Sequence, residues 1–187
     1  MTEQTRAYRR QLLLEAEGYL ELAVALDDRW PLEDAQRDVL TSRCLEALDK
    51  IENPKGRQAQ IHYLRGQALR LKNQFEAAIE SLELSWHLES HNVHTCLALG
   101  WCYKRLGRID DAIEAMQLGL SVDPHSAILH YNLACYLALC KRARAAIKHL
   151  AIALDIQGSL INLISEESDF DPIREMPCFA KFSRMLS

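Results

Sequence analysis

Glycine and proline are scarce in this chain, with seven of the first and five of the second among 187 residues. Residues that break helices are therefore few, and no cluster of glycines follows a strand-like segment as a phosphate-cradling loop requires. Threonine and valine are sparse beside leucine, alanine, glutamate and arginine, a balance that excludes a sheet-rich fold and predicts an all-α one. No apolar run approaches the roughly 18 residues needed to span a bilayer. The opening "MTEQTRAYRRQLLLEAEGYL" sets charges around three leucines, unlike a secretory leader. No membrane insertion and a cytoplasmic location are expected. An excess of one charge sign is also lacking: a formal net charge of -4 gives no bulk attraction to nucleic acid, and none is expected as a partner. The six cysteines form no CxxC pair, and in a reducing compartment they serve as small buried hydrophobes rather than disulfide partners.

What the chain has is an internal repeat. Gly66, Gly100 and Ala134 fall 34 residues apart, and the pairs Ala78-Ile79, Ala112-Ile113 and Ala146-Ile147 keep the same interval. Four residues after each of those alanines stands Leu82, Met116 or Leu150. The register defines copies at 59–92, 93–126 and 127–160, each with two helical patterns around a polar turn, "KNQFE", "LGRID" or "CKRAR". Small residues at fixed spacing allow two helices to approach to about 8 to 10 Å, where a larger side chain would hold them apart.

The middle copy, with Leu99, Gly100, Tyr103, Ala112, Met116 and Pro124, resembles the tetratricopeptide repeat, although Cys96 stands where the family usually has tryptophan. The first copy keeps Gly66, Ala78 and Leu82, and the third keeps Leu133, Ala134, Ala146 and Leu150. This resemblance implies a right-handed solenoid of antiparallel helix pairs acting as a non-catalytic protein-binding module.

Residues 1–58 read as a helical hairpin, a degenerate repeat turning at Arg29-Trp30-Pro31, with Gly18 and Ala47 in the small-residue roles. The stretch Glu52 to Gly56 then breaks the helix with a proline and a glycine. Residues 161–187 read as a cap, because a repeat array otherwise ends on an exposed apolar face. Their "SDFDPIREMPCF" is similar to a tail found in bacterial tetratricopeptide proteins, which implies a bacterial cytosolic protein.

Candidate chemistry is thin. His91, His94 and Cys96 offer nitrogen and sulfur, but the cysteine belongs to the inward face and His94 to the opposite one, so no metal is expected. Cys135, His130 and Asn132 have the residue types of a nucleophilic site, yet lie within a turn and a half of one helix on different faces. A triad needs convergence from separate elements. His130 and His62 share the buried fourth position of their repeats and read as core histidines. No enzyme and no cofactor are expected.

The resemblance does imply a concave groove lined by the first helix of each repeat. Its candidate partner-binding residues are Tyr63, Gln67 and Arg70 in the first copy, His94, Trp101, Lys104 and Arg105 in the second, and Tyr131 and Asn132 in the third. An aromatic flanked by bases suits an acidic peptide with an apolar anchor. The alternative is that the chain's own Phe170, Phe179 or Phe182 covers Trp101. Chaperone-binding members of the family hold a C-terminal carboxylate with a Lys, Asn, Asn, Lys and Arg set, of which only Asn132 matches here. The expected function is that of an adaptor or co-chaperone. The alternatives are a self-associating scaffold, as a homo-oligomer, and a secretion-type chaperone.

Overall fold

A computed structural model describes residues 5–25, 32–54 and 56–186, and among them every regular element is helical. The helices fall into two compact units, Met1–Cys102 and Tyr103–Ser187. The turn expected at Arg29-Trp30-Pro31 and Lys55 of the helix-breaking stretch lie outside the described residues. None of the described helices is long and apolar enough to cross a membrane.

The first unit contains α1 (Arg6–Ala25), α2 (Asp34–Asp49), α3 (Gln58–Leu71), α4 (Phe75–Leu88) and most of α5 (Val93–Arg105). Helix α2 begins at a reciprocal cap in which the Glu33 N–H donates to Gln36 Oε1 at 3.1 Å while the Glu33 carboxylate accepts from the Gln36 N–H. Helices α1, α2 and α3 meet on a core of Leu13, Ala16, Leu20, Cys44, Ala47, Leu48, Ile61, Leu64 and Ala68. The N-terminal hairpin differs from expectation at Gly18. A Cβ built there would meet nothing within 4 Å, so Gly18 clears no crossing; Ala16, Ala23 and Ala47 supply the small buried side chains instead.

The packing of α3 on α4 follows the small-residue logic. A Cβ at Gly66 would lie 2.6 Å from Leu82 Cγ and 3.2 Å from the Ala78 carbonyl oxygen. Ala78 and Leu82 are themselves fully buried, so the two helix surfaces close where glycine leaves no side chain.

The second unit contains α6 (Ile109–Val122), α7 (Ala127–Leu139), α8 (Ala143–Ile156) and a C-terminal segment of α9 (Ile161–Ile164), α10 (Asp171–Arg174) and α11 (Pro177–Leu186). Single 3-10 turns at Gly158–Leu160 and Ser168–Phe170 join these pieces. Helix α7 is central here: it packs on α6, on α8, on the Ser168–Phe170 turn and on α10.

The 34-residue register reappears in the backbone. The second helices α4, α6 and α8 begin at Phe75, Ile109 and Ala143, and each is 14 residues long. The residue two before each, Asn73, Gly107 or Lys141, adopts left-handed φ of 59°, 73° and 57°. Each such residue closes the preceding helix: Gln74, Arg108 and Arg142 donate their N–H groups to the carbonyls of Leu69, Tyr103 and Leu137, all at 2.9 Å. Only the middle copy uses glycine, the residue that takes this conformation without a Cβ penalty.

Candidate functional site

In the first unit, α1 and α3 leave a cleft of about 760 Å³ between them. Leu20, Val24, Leu64 and Leu71 form its apolar surface, Tyr63 and Gln67 face it from α3, and Glu17 and Glu21 stand on α1. Gln60 Nε2 donates to Glu17 Oε1 at 2.5 Å, tying the two helices together. Val24 remains 53% exposed, more than a packed valine.

Tyr63 and Gln67 therefore sit on an open surface of this unit. Gln67 also leads to a second cluster, because its Oε1 accepts from Arg70 Nε at 2.9 Å. The Arg70 guanidinium lies 5.0 Å from the centre of the Trp101 ring, and Trp101 meets Phe75 edge-on at 5.5 Å. Burial lowers the Arg70 pKa, while Cys102 and Tyr63 act in the opposite sense. Trp101 is half-buried in these contacts, neither bare anchor nor core. His94 is exposed, with its backbone N–H on Asn92 Oδ1 at 3.1 Å.

The second unit holds the remaining candidates, and here the structure corrects the expectation of an open face. Tyr131 is buried, 4% exposed, with its ring edge-on to Phe170 at 6.0 Å. Phe170 is fully buried and stacks on Phe179 at 5.5 Å. The chain's own C-terminal segment thus covers Tyr131 and leaves no room there for a partner. Lys104 is committed as well: its Nζ pairs with Asp169 Oδ2 at 2.5 Å, and that carboxylate is 6% exposed. Arg174 fastens the same segment, donating from Nη2 to the Glu167 carbonyl at 3.0 Å. Asn132 is half-buried and Arg105 exposed.

Under this segment the Cys135 thiol and the carboxylates of Glu167 and Asp169 lie within 4.8 Å of one another, a grouping that residue spacing did not suggest. Their chemistry argues against a cation ligand set. Burial, then the Glu167 and Asp169 carboxylates, hold the thiol pKa far above its ordinary value, and the Lys104 ammonium already neutralises Asp169. Cys44 is likewise pushed up to about 12, and Cys96 and Cys102 to about 11, mainly by burial. These are inert core thiols rather than nucleophiles.

His130 is a satisfied core histidine. A carbonyl can only accept, so His130 Nε2 donates to Pro124 O at 3.1 Å, and Nδ1 accepts from His149 Nδ1 at 2.9 Å. Pro124 thereby anchors α7 through its carbonyl. Tyr103, another repeat position, is buried and carries the Arg108 guanidinium 4.6 Å above its ring. Gly100, Ala112, Ala134 and Ala146 are all buried. The residues that position alone missed are Glu17, Glu21 and Asp169. The first two belong to a helix outside the regular repeats, and the third was legible only as part of a tail.

Residues 69–134 match the tetratricopeptide repeat family model. No curated protein matches the chain. Among solved structures, a MamA protein is 22% identical with a TM-score of 0.59, covering 84% of this chain and 82% of its own. YrrB, described as a tetratricopeptide protein with an unusual peptide-binding site, is 19% identical with a TM-score of 0.59, covering 86% and 83%. A MamA fragment from Desulfovibrio magneticus RS-1 is 11% identical with a TM-score of 0.55, covering 91% and 96%. At these identities the likeness is one of fold.

Proposed function

This chain carries tetratricopeptide repeats, and from that premise we propose that it is a non-catalytic adaptor that grips a peptide segment of another protein. The observation that carries the reading is the cleft between α1 and α3, which combines an apolar floor, an exposed Val24, and Tyr63 and Gln67 on one side. Such a cleft suits an amphipathic segment that buries a leucine-like anchor and keeps its polar side in water. That YrrB has a peptide-binding site supports the class of ligand.

The charge preference follows from Glu17 and Glu21. An acidic partner was expected from Lys104 and Arg105, but Lys104 is neutralised by Asp169 within its own unit. At the α1–α3 cleft the favoured flank is basic. The inert thiols accord with a reducing bacterial cytosol as the place of action.

Selection of binders from a random peptide library tests this. Peptides with an apolar anchor and Lys or Arg should be enriched on the wild type and lost on Val24→Glu with unchanged helicity. Enriched peptides that are indifferent to Val24→Glu, or acidic ones lost on Lys104→Ala, overturn the assignment.

A second reading, self-association as a scaffold, rests on one specific observation. Helix α4 exposes Leu84 and Leu88, α6 exposes Leu118 and Val122 at the same repeat positions, and α8 exposes Ile156. Two exposed leucines on α4, and a leucine and a valine at the same positions of α6, are the kind of apolar surface a second copy would cover if they form contiguous patches. Light scattering tests it: a mass above 21.4 kDa that Leu118→Glu returns to the monomer value supports self-association, and a monomer at high concentration removes it.

A further inference from the structure

Four arginines, Arg6, Arg9, Arg10 and Arg57, line one cavity of about 790 Å³ in the first unit, over an apolar floor that includes Leu13 and Ile61. No described carboxylate lines this cavity, and none forms an ion pair with any of the four. Arg57 donates Nη1 to Gln60 Oε1 at 2.8 Å, a neutral partner that leaves its charge unmet. Arg9 Nη1 is sealed from solvent and reaches no hydrogen-bond acceptor. A buried N–H without an acceptor is unfavourable, and so is the gathering of four like charges with no described counter-charge.

The local helix physics points the same way. Helix α1 starts at Arg6 and α3 at Gln58, and neither has an acidic residue in its first turn. Arg57, at the N-cap of α3, supplies no side-chain cap, and it follows Gly56 at a left-handed φ of 76°. Helix N-termini carry partial positive charge and favour acids in the first turn. Here two such ends border one cavity and present arginine, so the described charges around it favour an anion.

We propose that this cavity binds a small phosphate-bearing anion, an oligophosphate or a nucleoside diphosphate. Guanidinium forks match phosphate oxygens two at a time, which a set of lysines would not do. The volume falls in the range of small-molecule sites, about 300 to 1,000 Å³. The site is separate from the α1–α3 cleft, whose lining shares no residue with it. The ligand is thus a second input to a protein-binding module.

Calorimetric titration of the full chain with pyrophosphate, ADP and adenosine, at low and high salt, tests the proposal. Pyrophosphate and ADP should bind and adenosine should not, with affinity falling as salt rises. Tighter binding of pyrophosphate identifies a free oligophosphate as the ligand, and tighter binding of ADP identifies a nucleotide. Arg9→Gln with Arg57→Gln should weaken binding tenfold or more at unchanged circular dichroism, whereas Arg144→Gln on α8 should change nothing. If the first pair unfolds the chain, Arg6→Gln with Arg10→Gln, both on exposed side chains, gives the same readout. The proposal falls if neither phosphate binds at millimolar concentration, if the arginine variants bind as wild type, or if hexaglutamate displaces ADP at equal concentration. The last result would reassign the cavity to an acidic chain segment.

Discussion

Replacing Gly66 with alanine sets two effects of known sign against each other. Inside a helix, alanine is favoured over glycine by about 1 kcal/mol. At this position the new methyl would sit 2.6 Å from Leu82 Cγ, 2.7 Å from Leu82 Cδ2 and 3.2 Å from the Ala78 carbonyl oxygen. The first of these is the branching carbon of a fully buried side chain, and the last is backbone of the facing helix. Neither can swing aside, so α3 and α4 must separate by several tenths of an ångström or more. Overpacking of that kind costs about 1 to 3 kcal/mol, and the rigidity of both neighbours places Gly66→Ala in the upper half of that range. The net expectation is a loss of about 1 to 2 kcal/mol. For a chain of this length each kcal/mol moves the midpoint by roughly 2 to 4 °C. Gly18→Ala is the internal control, because its Cβ meets nothing within 4 Å and it lies inside α1; it should gain about 1 kcal/mol. Urea titration followed by circular dichroism, with thermal melts of both variants, measures the two. Adding Leu82→Ala should make Gly66→Ala far less costly, since the methyl then enters vacated space. If Gly66→Ala stabilises as much as Gly18→Ala, the glycine is not at a close crossing and the packing argument fails.

Lys104→Met leaves the buried Asp169 carboxylate without its cation and should cost about 2 to 3 kcal/mol, below the 3 to 5 of a fully buried pair because Lys104 keeps some solvent contact. Lys104→Met with Asp169→Leu should recover most of the loss in a thermal melt; equal losses in single and double variants refute the pairing. Burial first, then His130 and Lys148, lower the His149 pKa, and burial and Arg65 lower that of His62. The unfolded chain therefore takes up protons near pH 6.5 before the folded one does, so stability is full above about pH 6.5 and declines as pH falls toward the lowered folded values. His149→Gln should flatten that decline in melts between pH 7.5 and 5.5, and an unchanged slope counts against the assignment. Iodoacetamide at pH 8 should modify Cys140 and Cys178, which are partly exposed, and spare Cys44, Cys96 and Cys102, whose buried thiols stay protonated. Mass spectrometry that finds Cys44 labelled at the rate of Cys178 refutes it.

The repeated elements were legible because one physical requirement, a small residue at each helix crossing, writes itself into the sequence at constant spacing. Ala78, Ala112 and Ala146 are all fully buried where that spacing places them. Less visible was the left-handed closure at Lys141, since Gly107 and, more weakly, Asn73 announce it by residue type. Gly18 shows where the same reasoning misleads. In a long hairpin outside the register, alanines at 16 and 23 do the packing, and a glycine carries no positional meaning. Tyr131 and Lys104 occupy groove positions by number, but their surroundings come from residues nearly 40 and 65 positions away. Periodicity reports which way a helix face points; it does not report what arrives to cover that face. The α1–α3 cleft was hidden for the same reason, since its acids lie outside the repeats.

Helix α7 has consequences for how such a chain can grow. A repeat array lengthens by copying a unit whose two sides fit the sides of its neighbours. Ten of the thirteen residues of α7 are buried, including every residue from Leu133 to Ala138, because α6, α8 and the C-terminal segment together enclose it. A duplicate inserted after α8 would carry the segment away to the new last helix and strip Tyr131, Cys135 and Lys104 of Phe170 and Asp169. Tyr131 and the Lys104 ammonium would then lose those partners unless the inserted helices supplied an aromatic ring and a carboxylate in their place. Lengthening at this end therefore requires that α7 or the inserted helices be adapted to each other. The Tyr131–Phe170 contact and the Lys104–Asp169 pair are thus what any insertion at this point has to reproduce.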